Sequence, residues 1–171
     1  MGIQAETQEE VRKETATKIF GQPTANNLTQ LEKELIAIAA AIPTSLGGGN
    51  HGHAGIIVND AKYLTMTGEI QFITPINPGA YPTNIAGNAT NAVHSRKEAM
   101  HKALVREYET YCGVEQALKD IILETVKKDY LLEIEDEALG YLNQTPKQMI
   151  THLRNRGGQM DFTDTKKLIS E

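Results

Sequence analysis

The chain has 171 residues, a length that one domain with a buried core accounts for. Its formal net charge of −5 argues against a protein that binds nucleic-acid phosphates over its whole surface, so any such contact must be regional. No run approaches the roughly 20 apolar residues of a membrane-spanning helix, so we expect no membrane partner. A single cysteine, Cys112, excludes an intramolecular disulfide. Together with an N-terminus that lacks a leader-like apolar run, it predicts the cytosol or the nucleus.

Two helices are predicted at the N-terminal end of the chain. The first covers about 7–20, with acidic residues in its first turn and Gly21 at its end. The second has apolar residues at alternating steps of three and four positions and stops before Pro43. Its stripe consists of Leu28, Leu31, Leu35, Ile38 and Ile42. Because the stripe is only two heptads long, it favours packing within a bundle over a free coiled coil.

Residues 43–90 have a different composition, with four of the six prolines, which is typical of loops and short extended segments. The sequences AGIIV (54–58) and EIQFITPI (69–76) predict two strands. Between them, NDAKYLTMTG predicts one or two turns of helix with a cap at Asn59 and an end at Gly68.

The chain becomes helical again from about residue 91. We predict two helices separated by Gly113, a third over about 130–142 and a fourth that opens at Pro146. The first two have apolar stripes made of Met100, Ala103, Leu104, Tyr108 and Tyr111, and of Val114, Ala117, Leu118, Ile121, Ile122 and Val126. A fifth helix is predicted behind Asp161. Because its pattern has no stop signal, we expect the sequence to be part of a longer polypeptide.

These elements predict a mainly α protein. We expect a compact multi-helix bundle with a short β or extended excursion at about 54–76. The predicted organisation is an N-terminal helical arm over 1–27 and a helical domain over 28–171, truncated at its C-terminal end.

The segment GGGNHGHAG (47–55) contains both a G-x-G-x-x-G and an H-x-H pattern. A dinucleotide fingerprint needs its glycines to follow a strand and open a helix, whereas these glycines follow a helix and precede a predicted strand. The segment does not match a phosphate-binding P-loop either, since no Gly-Lys-Ser or Gly-Lys-Thr is present. We therefore interpret the segment as a turn. Its glycines would adopt positive φ, and its histidines would hydrogen-bond the turn or lie near a subunit contact.

A metal site is the alternative for the same segment, because His51 and His53 point to one side of an extended chain and two imidazoles can begin a zinc site. Two ligands are too few, and the other histidines are not spaced to complete the set. The remaining histidines are His94, His101 and His152. We predict no metal and no other cofactor, with His51 and His53 as the candidates for a small metal-dependent enzyme if that alternative holds.

No catalytic residue is predicted, and we expect the protein not to be an enzyme. The serines lack a nucleophile elbow. Cys112 lies just before the predicted helix that starts near Val114, where the positive helix end would lower a thiol pKa, but a half-buried structural cysteine is the favoured interpretation.

Basic residues cluster in two of the predicted helices. The candidates for contact with RNA are Arg96, Lys97, Lys102, Arg106, Lys147, Arg154 and Arg156. The alternative is that they form the ordinary polar half of two amphipathic helices.

Three segments together resemble a known family. They are LGGGNHGHAGIIVNDAKYLTMTGEIQFITPINPG, EYETYCGVEQALKDIILETV and GYLNQTPKQMITHLRNRGG. In this order and spacing they are similar to the N-terminal part of the Gag region of copia-type LTR retrotransposons, in the divergent form met in algal and other eukaryotic genomes. The resemblance covers about residues 28–171.

The resemblance implies a capsid-type helical domain that self-associates into a shell and packages element RNA, without chemistry of its own. The expected partners are further copies, through helix faces, and RNA, bound weakly or through a further C-terminal segment; no small-molecule substrate is expected. A Cys/His zinc knuckle and a basic tail, which a complete Gag often carries, are absent from this sequence. The other functions left open are the metal-dependent enzyme and a helical RNA-binding or adaptor module that uses the basic helix 94–111.

Overall fold

The computed structural model describes residues 2–47, 50–82, 87 and 90–157, and these are mainly α-helical. Its α-helices, numbered in chain order, are α1 (Ile3–Arg12), α2 (Ala25–Ala40), α3 (Asp60–Thr67), α4 (Asn91–Thr125) and α5 (146–157). The same ranges contain no β-strand, and their one isolated β-bridge joins Asp136 to Gly140. The prediction of a mainly α, multi-helix protein is confirmed, while its capsid-type details stay a prediction.

One hydrophobic core joins α1, α2, α4 and α5, and the C-terminal half of α4 contributes most to it. The helical residues of this core that are no more than 5% exposed are Val11 of α1, Leu28, Leu31, Leu35 and Ala39 of α2, Val114, Ala117, Leu118, Ile121 and Ile122 of α4, and Met149, Ile150 and Leu153 of α5. Their spacing of three and four positions places one apolar stripe of each helix inward. Removing this surface from water is the main force that holds the helices together.

Local capping signals fix the start of α2 and both ends of α3. Thr24 and Asn27 form a reciprocal capping box at the start of α2. The Asn59 side chain accepts a hydrogen bond of 2.8 Å from the Lys62 N–H, and Gly68 ends α3 in the left-handed conformation with φ of 72°. Both predicted helices are therefore confirmed.

The first helix begins and ends earlier than predicted, at Ile3 and Arg12 rather than about 7 and 20. Beyond it the chain turns toward α2, because Thr17 donates from both its N–H and its hydroxyl to the Glu34 carboxylate, at 2.8 and 2.6 Å. Ile19, in this connecting segment, reaches the common core. The predicted division between 1–27 and 28–171 stays a prediction.

The prediction of two helices separated by Gly113 is wrong, because α4 is a single helix. It is continuous over 35 residues, and Gly113 lies inside it, buried. A Cβ at this position would lie 2.6 Å from the Gln4 carbonyl oxygen and 2.9 Å from the Thr7 Cβ. The glycine therefore permits the backbone of α1 to approach α4 closely rather than ending the helix.

The two strands predicted within 54–76 are wrong. Ala54–Ile56 is a 3-10 turn, and 69–76 has no regular secondary structure. The apolar side chains of AGIIV are buried against α2 and α3 instead. A short apolar run has no periodicity that distinguishes a strand from a buried turn.

The helix predicted over about 130–142 is also wrong. The segment contains two short 3-10 turns, Lys128–Tyr130 and Leu132–Ile134, and then a tight turn closed by backbone bonds between Asp136 and Gly140. The Asp136 carboxylate accepts from two N–H groups within that turn, and Gly140 has a φ of 60°. These local bonds compete with helix formation.

The helix predicted at Pro146 is confirmed as α5. Its start is a capping box, in which the Gln148 N–H donates to the Thr145 hydroxyl and the Thr145 N–H donates to the Gln148 side chain. The further helix predicted behind Asp161 lies outside the described residues.

Candidate functional site

Gly52 and His53 close the chain against the C-terminal end of α2. Gly52 has a φ of 48°, and a Cβ there would lie 2.3 Å from the Ala40 carbonyl oxygen. The His53 N–H donates to the Ala39 carbonyl at 2.9 Å, and its ring Nδ1 lies 2.7 Å from the Ile42 carbonyl oxygen. Carbonyls at a helix end need such donors. The interpretation of GGGNHGHAG as a turn with positive φ and a hydrogen-bonding histidine is therefore confirmed at these two residues.

Burial determines the protonation of His53. Its side chain is 0% exposed, and this desolvation lowers the pKa of the imidazole, although the Ile42 carbonyl and the Glu107 carboxylate act in the opposite direction. The neutral ring is therefore favoured at pH 7, and it donates from Nδ1 because a carbonyl oxygen only accepts. His53 thus acts as a neutral, buried cap for α2.

The histidines do not come together as a metal centre in the described part of the chain. No group of three or more histidine, cysteine, aspartate or glutamate side chains in these ranges is placed to hold a metal ion. His51 packs edge-on toward Tyr63, with 6.4 Å between the ring centroids, and His53 is engaged by the end of α2. His152 lies 3.7 Å from the Glu133 carboxylate. The geometry therefore gives no support to the metal-dependent enzyme.

Cys112 lies inside α4 and not, as predicted, just before the start of a helix. The positive helix end that would have lowered its thiol pKa is therefore not beside it. Burial raises the pKa of this thiol above its usual value, while a hydrogen bond with Tyr108 acts against it. A protonated thiol is a weak nucleophile, so the structural interpretation of Cys112 is the better supported one.

Glu107 and Lys119 make long-range contacts that the sequence did not reveal. Glu107 accepts hydrogen bonds from the Thr44 and Ser45 hydroxyls at 2.8 Å each and so fixes the chain after α2. Burial acts to raise the pKa of this carboxyl, but the hydrogen bonds outweigh it and leave the pKa below its ordinary value. Lys119 is 3% exposed, and its ammonium lies 3.3 Å from the Tyr141 carbonyl oxygen.

The basic residues of α5 are paired with acids on the surface of the bundle. Lys147 pairs with Asp60, Arg154 with Glu32 and Arg156 with Glu133. Arg156 also lies over the Tyr130 ring, 5.4 Å from its centroid. These three RNA candidates consequently have local roles in holding α5.

The basic residues of α4 lie instead on a helical stretch with little cover. Every residue of 91–104 is exposed except His94 and His101, which are half-buried. We call 91–104 the projecting stretch. Three of its apolar side chains are exposed: Val93 by 40%, Met100 by 61% and Leu104 by 58%. Met100 and Leu104 were predicted in an apolar stripe, and the structure places that part of the stripe in solvent.

The cations of α4 are distributed around this apolar stripe. At about 100° per residue, Arg96 and Lys97 lie roughly 50° to either side of the line through Val93, Met100 and Leu104. Lys102 and Arg106 lie on the opposite side of the helix, where Lys102 pairs with Glu98 at 3.3 Å. Within the described ranges, Arg96 and Lys97 have no ion pair.

An apolar groove with acidic edges runs between α1 and α2. It is lined by Glu10, Val11, Glu14, Ala37, Ile38, Ala41 and Ile42 and encloses about 340 Å³. Val11, Ile38 and Ile42 are core or core-packed residues, whereas the two glutamates are exposed. No cation of the described residues lies within ion-pair distance of Glu10 or Glu14. We call this feature the acidic groove.

Comparison with known proteins adds no identification. The sequence matches no protein-family model, no curated protein and no solved structure. In the part of the chain that the structure describes, no helix is both long and apolar enough to cross a membrane.

Proposed function

We propose that the protein is an assembly module that self-associates into a shell and packages RNA, with no chemistry of its own, as its resemblance to the capsid-like part of copia-type Gag proteins implies. The observation that supports this proposal best is the exposed stripe of Val93, Met100 and Leu104 on the projecting stretch. Large apolar side chains clustered on one exposed helix face are typical of a surface that another protein covers.

The stability of the projecting stretch gives a second reason. Most helical stability in proteins comes from a buried apolar face. The stretch is the N-terminal part of α4, continuous with the half that lies in the core, but its own apolar face is in solvent. A partner that buries this face would stabilise the helix as well as the contact.

The proposal is tested by changing the stripe without changing the core. We expect Met100→Ser with Leu104→Ser to abolish higher assembly, measured by sedimentation velocity and negative-stain electron microscopy. Leu142→Ser is the matched control, because Leu142 is similarly exposed, at 64%, but lies outside the projecting stretch, with its carbonyl near Lys119 in the C-terminal half of α4. Assembly that the double variant leaves unaltered, in a protein with unaltered helical content, would contradict the proposal.

RNA contact is proposed for the α4 cations, because all three of α5 are paired with acids of other segments, whereas, among the described residues, only Lys102 of the α4 cations is paired, with Glu98 of its own helix. Lys102 and Arg106 are the candidates that remain when the apolar stripe is covered. For Lys102→Glu with Arg106→Glu, we expect the slope of log K against log salt for single-stranded RNA to fall by about 1.4, which corresponds to two phosphate contacts. An unchanged slope would exclude this face of α4 as the RNA contact.

A further inference from the structure

We infer that the projecting stretch of one copy docks into the acidic groove of a second copy. This inference rests on the proposed self-association and specifies the two surfaces that meet. It is argued from the apolar surfaces, from the charges at their edges and from the geometry of α4.

The apolar parts of the two surfaces correspond. The stripe of the projecting stretch offers three large apolar side chains, and the groove offers the half-buried Ile38 and Ile42 with the exposed Ala37 and Ala41 beside them. Alanine at 37 and 41 leaves room for an incoming helix to approach α2, as small residues do where helices pack closely.

The charges at the edges of the two surfaces are opposite. Arg96 and Lys97 flank the stripe, and Glu10 and Glu14 lie one turn apart along the edge of the groove. None of the four has an ion-pair partner in 2–47, 50–82 or 90–157. Opposite charges around an apolar centre steer association and fix its orientation. An acidic groove selects a basic helix, and each copy of the chain carries such a helix.

The geometry of α4 makes the contact intermolecular. The projecting stretch continues the same helix whose C-terminal half lies in the core, so it cannot fold back into the groove of its own chain without breaking α4. Because the two surfaces are different, each copy can offer one and accept with the other. Such a head-to-tail contact forms rings or open arrays rather than a closed two-fold dimer.

A charge exchange tests this pairing. One variant carries Arg96→Glu with Lys97→Glu, and the other carries Glu10→Lys with Glu14→Lys. We expect each variant alone to need about tenfold or more protein for half-assembly, measured by light scattering at low salt. A 1:1 mixture should assemble again, because each reversed helix then meets a reversed groove and each natural helix meets a natural groove.

The control is Lys62→Glu with Lys127→Glu, which reverses two exposed charges outside α4 and outside the acidic groove and should leave assembly unchanged. Circular dichroism of every variant checks that it is folded. Normal assembly of the groove variant alone would overturn the inference in favour of contact between two α4 helices. A 1:1 mixture of the two variants that fails to assemble would also overturn the inference. In both cases, assembly of the unmodified protein would leave the proposed function in place. An unmodified protein that never associates would overturn the proposed function itself.

Discussion

Replacement of Gly113 by alanine tests the packing of α1 on α4. The new Cβ would lie 2.6 Å from the Gln4 carbonyl oxygen, a backbone atom that cannot rotate away. Forcing a methyl group into such a contact costs about 1–3 kcal/mol. Alanine also improves the helix by about 1 kcal/mol relative to glycine. The steric effect should prevail, with a net loss of up to about 2 kcal/mol and a fall in Tm of up to roughly 8 °C.

Differential scanning calorimetry measures this change. Ser95→Ala is the control for helix propensity, because Ser95 is an exposed residue of the same helix where alanine creates no steric contact, and we expect its Tm to stay the same or rise slightly. A rise in the Tm of the Gly113 variant would show that helix propensity prevails and that α1 does not pack closely on α4. Since α1 forms one wall of the acidic groove, the variant should also assemble less well.

Two further predictions concern the turn after α2. Gly52→Ala should lower the free energy of unfolding by about 2–4 kcal/mol, because the left-handed φ of Gly52 and its contact with the Ala40 carbonyl both disfavour a Cβ. The control Gly68→Ala should lower it by only about 1–2 kcal/mol, because Gly68 has a φ of 72° but nothing within 4 Å of the added Cβ. Equal losses for the two variants in urea unfolding would disprove the packing argument. Because the pKa of His53 is lowered in the folded state, the unfolded chain takes up a proton at acidic pH that the folded chain excludes. The contribution of the neutral His53 to the free energy of unfolding is therefore complete above about pH 6.5 and is lost as the pH falls. We expect His53→Ala to flatten the decrease in unfolding free energy between pH 7 and 5, and a decrease as steep as in His94→Ala would contradict the assignment.

The sequence predicts the helices whose ends are set by nearby residues. The starts of α3 and α5 depend on a side chain that bonds the backbone three residues away, and α3 ends at a left-handed glycine. Such signals are local and therefore readable. The stripe of α2 was correctly predicted for a similar reason, since Leu28, Leu31 and Leu35 all face the core.

The errors arise where a distant contact or a competing local bond decides the structure. Gly113 has the appearance of a helix end, but contact with α1, more than 100 positions earlier, gives the glycine another role. In 130–142 the helical periodicity is overcome by the Asp136 turn. Thr17 leaves the first helix because Glu34 accepts from its backbone N–H.

The candidate site was only partly predictable. The cations of α4 and the apolar residues Met100 and Leu104 were found from the sequence, but their position in a projecting stretch was not, because periodicity does not show which part of a stripe has a partner. The acidic groove requires the C-terminal end of α1 to lie near that of α2, and no single stretch of sequence contains it. Glu107 likewise acts on residues 62 and 63 positions earlier.

The measurement that tests the central claim most directly is the molar mass of the unmodified chain by light scattering over a concentration series at low salt. Self-association predicts a mass that rises with concentration and falls again when salt is added, because charged edges contribute to the contact. A mass that stays at the 18.8 kDa of a single chain at every concentration and salt would contradict it.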